Sequence, residues 1–318
     1  MLLSNEFILF DRIEKIKSII NQYGEDKFYI SYSGGKDSTV LSALVDMALP
    51  GNKIPRVYAN TGIELNMIRD FVFDMAKTDD RIVIIKPSVP IKPMLEKEGY
   101  PFKSKIHSHC VALYQQGSTN KMWRGYTGQR PEHWHSRTCP KILEYQFSSE
   151  NKLKISDLCC VKMKEEPLIK WAKENKKPYT MIGIMMEEGG RRMKSQCLAF
   201  EGKKLKKFQP LVPISKEWED WFINEYDIRI SDIYKEPYNF TRTGCKGCPF
   251  ALNLQQELDV MEKYFPNERK QCEIIWKPVY DEYRRLGYRL NQCEQMSIFD
   301  LGITEVTDDF QNRKDING

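Results

Sequence analysis

Little in this 318-residue chain fits a membrane or secreted protein. No segment approaches the ~18 uninterrupted apolar residues that a spanning helix requires. The start, Met1-Leu2-Leu3-Ser4-Asn5-Glu6-Phe7, has no basic stretch, and Asn5-Glu6 interrupts its apolar residues, so no export signal is expected and the expected compartment is cytoplasmic. Repeats and low-complexity tracts are lacking, which excludes solenoid architectures. A Gly-x4-Gly-Lys-Ser/Thr loop is also missing, which excludes the Walker-type phosphate site. Histidine is scarce: there are four, all between positions 107 and 135. Cysteine is not scarce. Nine thiols in a chain without an export signal point to a reducing compartment, where cysteines serve metals and chemistry more often than disulfides.

The thiols are arranged in a telling way. Cys159-Cys160 lies in the run DLCCVKMKEEP, and Cys245-x-x-Cys248 lies in TRTGCKGCPF. Two tight pairs supply the four sulfurs that an iron–sulfur cluster or a zinc ion takes. Adjacent cysteines do not easily close a disulfide with each other, and Gly244 and Gly247 let the second pair wrap closely around sulfur. The alternative is that Cys159 and Cys160 are ordinary buried small residues and that the CxxC alone binds zinc or cycles as a dithiol.

A second motif sits at KFYISYSGGKDST, where a β-rich run ends in Ser33-Gly34-Gly35-Lys36-Asp37-Ser38 and a helical pattern follows. Strand, glycine turn and helix start together make a phosphate cradle. The glycines admit backbone N–H groups, the helix start adds partial positive charge, and Lys36 and Ser38 add a cation and a hydroxyl.

Together these motifs resemble the PAPS reductase-like family of the adenine nucleotide alpha-hydrolase, or PP-loop ATP pyrophosphatase, superfamily. The resemblance covers about residues 25–100 and 155–290. Its stations are Ser33–Ser38, Tyr58–Glu64, Cys159–Pro167, Gly183 through Glu188 to Arg192, and the CxxC. It implies that Ser33, Gly34, Gly35, Lys36, Asp37 and Ser38, with Thr61, Gly62, Glu64, Gly183 and Glu188, hold ATP. It implies that Lys36, Asp37 and Arg192 act on the phosphates with Mg2+, and that Cys159, Cys160, Cys245 and Cys248 hold a [4Fe-4S] cluster. Within the family the sulfonucleotide reductases usually have a degraded PP-loop and a Glu-Cys-Gly-(Ile/Leu)-His tail. Here the loop is intact and the tail offers only Asn291-Gln292-Cys293-Glu294-Gln295. That favours an ATP user close in logic to the DndC-type proteins of DNA phosphorothioation. A further departure is Gly189-Gly190-Arg191-Arg192, which keeps the arginine of the family's Glu-Ser-x-x-Arg element without its serine.

Alternating apolar patterns predict strands at 27–32, 56–59, 81–86 and 179–184, with helices at 38–49, 65–77 and 91–98 between them. This is the rhythm of a doubly wound parallel sheet flanked by helices. Ligands in such sheets bind beyond the strand C-termini, so the nucleotide is expected between Ser33–Ser38 and Asn60–Glu64. The division expected is an N-terminal helix in 1–24, a nucleotide-binding domain in 25–99 and 157–230, a basic insertion in 100–156, and a CxxC loop with helical region in 231–318. The insertion holds nine Lys and Arg against three Glu, a net +6, while the whole chain carries +5. Its interleaved Tyr114, Trp123, Tyr126, Trp134 and Tyr145 suit phosphate contacts with base stacking, or else a local core. The run Lys203–Lys207 would extend the patch. His107, His109, His133 and His135, beside Cys110 and Cys139, form a possible zinc array. Otherwise they are surface or phosphate-contacting groups, and Cys110 or Cys139 becomes a candidate sulfur carrier if a neighbouring His+ lowers its pKa.

The expected activity is therefore an ATP-dependent [4Fe-4S] sulfurtransferase. It adenylates an acceptor, nucleic acid foremost, releases pyrophosphate, and receives sulfur from a cysteine desulfurase partner. The competing readings are an adenylylsulfate or PAPS reductase that uses thioredoxin and Cys293, and a non-catalytic nucleic-acid-binding module.

Overall fold

β-branched and aromatic residues concentrate in short runs along the first third of the chain, and those runs become strands. In the computed structural model, which describes residues 4–129, 138–188 and 195–292, β1 spans Phe28–Tyr32, β2 Arg56–Ala59, β3 Ile82–Ile85, β4 Tyr179–Met181, β5 Leu198–Glu201 and β6 Lys204–Phe208. They form one six-stranded sheet in the order β3-β2-β1-β4-β6-β5. The β1–β2, β1–β4, β2–β3 and β4–β6 pairs are parallel, and only the β5–β6 pair at one edge is antiparallel. The expected doubly wound sheet is present.

Helices α1 (Asn5–Tyr23), α2 (Lys36–Ala48), α3 (Asn66–Met75) and α8 (Lys216–Glu225) share a core with the sheet, into which Phe28, Ile30 and Tyr32 of β1 project. The alternate residue, Tyr29, turns the other way and meets Trp171 of α7 (Glu166–Glu174), ring centroids 5.6 Å apart. Helices thus cover both sides of β1, and its near-continuous apolar character follows. The chain proceeds outward from β1 through β2 to β3, then returns to place β4 on the other side of β1. The switch point falls between β1 and β4, where the Ser33–Ser38 turn emerges.

A second core joins the expected insertion to the C-terminal region. It gathers α4 (Ile91–Glu98), α5 (Lys105–Gln115), α6 (Lys121–Tyr126), α9 (Leu254–Tyr264) and α10 (Pro266–Leu286). Phe102 packs edge-on against Tyr283 at 4.6 Å, and the Lys103 amide donates to the Tyr283 hydroxyl at 2.7 Å. Among the described residues no helix is long and apolar enough to cross a membrane.

Candidate functional site

The turn after β1 is built by its own hydroxyls. Gly34 has φ +71°, a conformation that favours glycine, and the Gly35 amide donates to Ser33 Oγ at 3.2 Å. Ser38 Oγ donates to the Gly35 carbonyl at 2.9 Å, and Thr39 Oγ1 donates to the same carbonyl at 3.0 Å. α2 begins at Lys36, so its first amides face the turn. The Lys36 amide donates to the Tyr234 hydroxyl at 3.2 Å. From β4's end Gly183 presses against this loop: a Cβ there would stand 2.7 Å from the Asp37 carbonyl oxygen.

Around the turn lies a cavity of about 350 Å3, lined by Ser33, Gly35, Lys36, Asp37, Ser38 and Gly183, with Lys164, Tyr234 and Thr241–Gly244 on its far side. A smaller one of about 90 Å3 continues it past Tyr58, Ala59 and Glu64 and shares Lys164, Thr243 and Gly244. Six of the expected nucleotide residues therefore line the larger cavity, and Glu64 lines the smaller. Thr61 supports Glu64, donating its amide at 3.1 Å and its hydroxyl at 2.6 Å to the carboxylate. Gly62 takes a positive φ of +77° in that bend, with open space where a Cβ would be. Glu188 ends a short turn, Met186–Glu188; Arg192 lies outside the described residues, as do Cys293, His133, His135 and Trp134.

The sequence reading missed the carboxylates that face Lys36. Its ammonium lies 2.8 Å from Asp220 and 3.1 Å from Glu219, both on α8. Burial pulls the Lys36 pKa down, but the two carboxylates outweigh it and the net shift is upward. Glu219 is fully buried, and its carboxyl is pushed up to about 7 by burial first and by Asp37 second. The Lys36 ammonium, 3.1 Å away, opposes that rise.

Both cysteine motifs adjoin residues of this cavity, Cys245 next to Gly244 and Cys160 four residues before Lys164. Cys159 and Cys160 Sγ are 4.0 Å apart at the start of a π-helical turn, Val161–Glu165. The Cys245 backbone bridges to Glu64 in β-fashion, and the Lys246 amide donates to the Ile63 carbonyl at 2.7 Å. This stitches the CxxC loop to the chain beyond β2. Cys160 shifts down, held there by the Cys159 thiol hydrogen bond and by Lys105 and Lys164, while the same bond and burial drive Cys159 up. Burial also raises Cys245 and Cys248. Lys164 is the hub: Cys245 foremost, then Glu64, Cys160 and Cys248, hold its ammonium charged against burial, with Glu64 3.8 Å away. The donor set is of the kind an iron–sulfur cluster uses. Four thiols also suit zinc, and among the described residues no three His, Cys, Asp or Glu form a group that could hold a metal ion.

Several expectations for the insertion are corrected. Trp123 and Tyr126 are buried; with Tyr114 and Phe147 they form an aromatic core rather than a stacking platform. Tyr145 is engaged with Glu282 of α10. His107 is fully buried, its Nε2 donating to Gln146 at 2.6 Å and its Nδ1 accepting from Tyr126 at 3.1 Å. His109 pairs with Asp157 at 3.3 Å. Cys110 and Cys139 are buried and pushed up to about 12, the opposite of an activated sulfur carrier. Of the Lys203–Lys207 run, Lys206 and Lys207 line a groove with Lys173, Lys176 and Lys177.

No protein-family model and no curated protein matches the chain. Among solved structures it is similar to the phosphoadenylyl-sulfate (PAPS) reductase of Candida auris, at 13% identity and TM-score 0.42, covering 77% of this chain and 97% of that one. It is also similar to the NH3-dependent NAD synthetase of Campylobacter jejuni, at 10% identity and TM-score 0.39, covering 90% and 97%. The U34-tRNA thiolase NcsA of Methanococcus maripaludis, solved with its [4Fe-4S] cluster, shows 17% identity and TM-score 0.37 over 95% of this chain and 86% of that one. At these values the likenesses carry no inference about activity.

Proposed function

We propose that this chain is an ATP-using sulfurtransferase that adenylates a nucleic-acid acceptor with release of pyrophosphate, and that Cys159, Cys160, Cys245 and Cys248 hold a [4Fe-4S] cluster. One observation carries the reading: the CxxC loop is built into the nucleotide site, because Thr243 and Gly244, next to Cys245, line the phosphate-cradling cavity and the Cys245 backbone bridges to Glu64 of the smaller cavity. A nucleotide site that served only binding would not need four thiols beside it.

In this reading the amides at the start of α2 and the Ser33 and Ser38 hydroxyls receive the phosphate chain, and Lys36 moves from Glu219 and Asp220 onto it. Mg2+ bound to nucleotide keeps most of its waters and asks for one or two carboxylates, and Asp37 in the cavity lining meets that requirement. An acceptor oxygen bonds the α-phosphorus as the bond to the bridging oxygen breaks, and pyrophosphate leaves with that electron pair. Sulfur at the sulfide level, drawn from a cysteine desulfurase and a thiol reductant, then replaces the adenylated oxygen, and AMP departs. A bound cluster would supply a site for that sulfur or for electrons.

The test is pyrophosphate release from ATP by anaerobically prepared protein. Release of pyrophosphate without phosphate, lost in Lys36→Ala with cluster and fold intact, is the expected result. Tight binding of adenylylsulfate with no turnover of ATP would instead make the chain a reductase, and neither activity would leave a binding module.

A further inference from the structure

A second cavity of about 380 Å3 abuts the nucleotide cavity, and Thr241 and Arg242 line both. Its size falls within the roughly 300–1,000 Å3 of small-molecule pockets. One wall is aromatic: Tyr238 is fixed between Phe265, at 5.0 Å, and Tyr264, at 5.3 Å, and Phe240 lies beside it, 8% exposed. The facing wall is the first turn of α9, with Asn253, Gln256 and Glu257. Asn253 occupies the position before the helix, where asparagine normally caps, yet its side chain makes no capping bond. Burial lifts the Glu257 carboxyl to about 7, with Arg242 opposing, so near neutral pH it can either donate or accept.

That chemistry selects among ligands. A simple anion would meet Arg242 but make no use of the ring wall, and an aliphatic chain would make no use of Asn253, Gln256 and the half-buried Glu257. A flat heterocycle with donors and acceptors along its edge satisfies both walls at once, face against the rings and edge against Asn253, Gln256 and Glu257. The adenine of ATP has its own expected place past Tyr58 and Ala59, in the smaller cavity on the other side of the phosphate loop.

We propose that this cavity receives an unpaired nucleobase of the acceptor, seated next to the ATP phosphates across Thr241 and Arg242. The inference rests on the nucleic-acid reading of the acceptor and narrows it to a base taken out of the stack. Unstacking is required, because a base still paired in a duplex has its edge engaged by its partner and its faces covered by its neighbours.

The experiment is an equilibrium titration of the full chain, saturated with a non-hydrolysable ATP analogue. The probes are the four ribonucleoside monophosphates and a short single-stranded oligonucleotide of mixed sequence. At least one probe is expected to bind saturably. Asn253→Ala combined with Glu257→Gln should weaken it about tenfold, the loss of two net hydrogen bonds, with analogue affinity unchanged. Gln256→Ala, at an exposed position, provides a second variant whose folding is not in question. Tighter binding of the oligonucleotide marks a polymer as the source of the base, and tighter binding of a monophosphate marks a free nucleotide. No binding by any probe, displacement of the analogue by the probe, or affinity unmoved by these substitutions would overturn the assignment. Absence of pyrophosphate release would leave these binding results untouched and would sink the sulfurtransferase reading instead.

Discussion

His107 illustrates how far composition misleads about a single side chain. A histidine in a basic, cysteine-bearing stretch reads as a ligand or a phosphate contact, yet the imidazole is enclosed with one donor and one acceptor partner, which suits its neutral form. Burial lowers its pKa from 6.5 to about 4; Lys103 and Arg289 push the same way, and Gln146 opposes. The unfolded chain therefore binds a proton that the folded chain refuses between those values, so stability is retained above about pH 6.5 and falls as pH drops toward 4. The loss is on the order of 3 kcal/mol. Denaturant titrations at pH 7 and pH 4.5 should show that loss in the parent and a shallower one in His107→Gln. Gly183 makes the complementary case at the phosphate loop. Gly183→Ala would drive a methyl to within 2.7 Å of the Asp37 carbonyl oxygen, so the start of α2 must shift. ATP-analogue affinity should fall at least tenfold while stability changes by about 1–3 kcal/mol. The residues legible from sequence were those whose chemistry is contiguous, Ser33–Ser38 and the two cysteine pairs. Glu219, Tyr234 and Thr243 reach the same cavity from segments far along the chain and carry no local signature, whereas Lys164 could have been noticed four residues after Cys160.

At the scale of elements, α10 is what fixes the CxxC loop. Three of its aromatic side chains donate to consecutive stretches of loop backbone: Trp276 to the Lys246 carbonyl at 3.0 Å, Tyr280 to Gly247, and Tyr283 to Pro249 at 2.8 Å. Tyr283 also accepts from the Lys103 amide, so one hydroxyl joins the thiol loop, the C-terminal helix and the chain entering α5. Tyr283→Phe leaves a buried carbonyl and a part-buried amide without that partner and should cost about 1–3 kcal/mol. It should lower the urea midpoint without changing the slope, and it should slow cluster reconstitution relative to the parent. The periodicities announced most of the parallel-sheet elements, and α4 and β2 fall where they were expected. The shared core of the insertion and the C-terminal region was not legible, because it depends on contacts such as Phe102 with Tyr283 that lie about half the chain apart. For the same reason Trp123 and Tyr126 looked available for stacking until their partners were in view.

For the whole molecule, the proposed nucleic-acid acceptor requires a basic face, and the described residues offer two. The groove of Lys173, Lys176, Lys177, Lys206 and Lys207 opens beside Tyr29, in the first half of β1, whereas the phosphate loop follows β1's last residue, Tyr32. The groove therefore lies toward the opposite end of the strands. The insertion instead places Lys105 close enough to act on Cys160, with Lys121 and Arg124 on the next helix. A nucleic-acid strand that delivers a base to the site should therefore run over the insertion. Charge reversal is unnecessary to test this. Lys105→Ala, Lys121→Ala and Arg124→Ala together should weaken single-stranded binding and flatten its dependence on salt, since each lost phosphate contact lowers the log–log slope by about 0.7 on single strands. The matching triple substitution of Lys173, Lys176 and Lys177 should leave that slope in place. A reversed result would move the acceptor to the groove, away from the nucleotide cavity, and would count against a base reaching the cavity lined by Thr241 and Arg242.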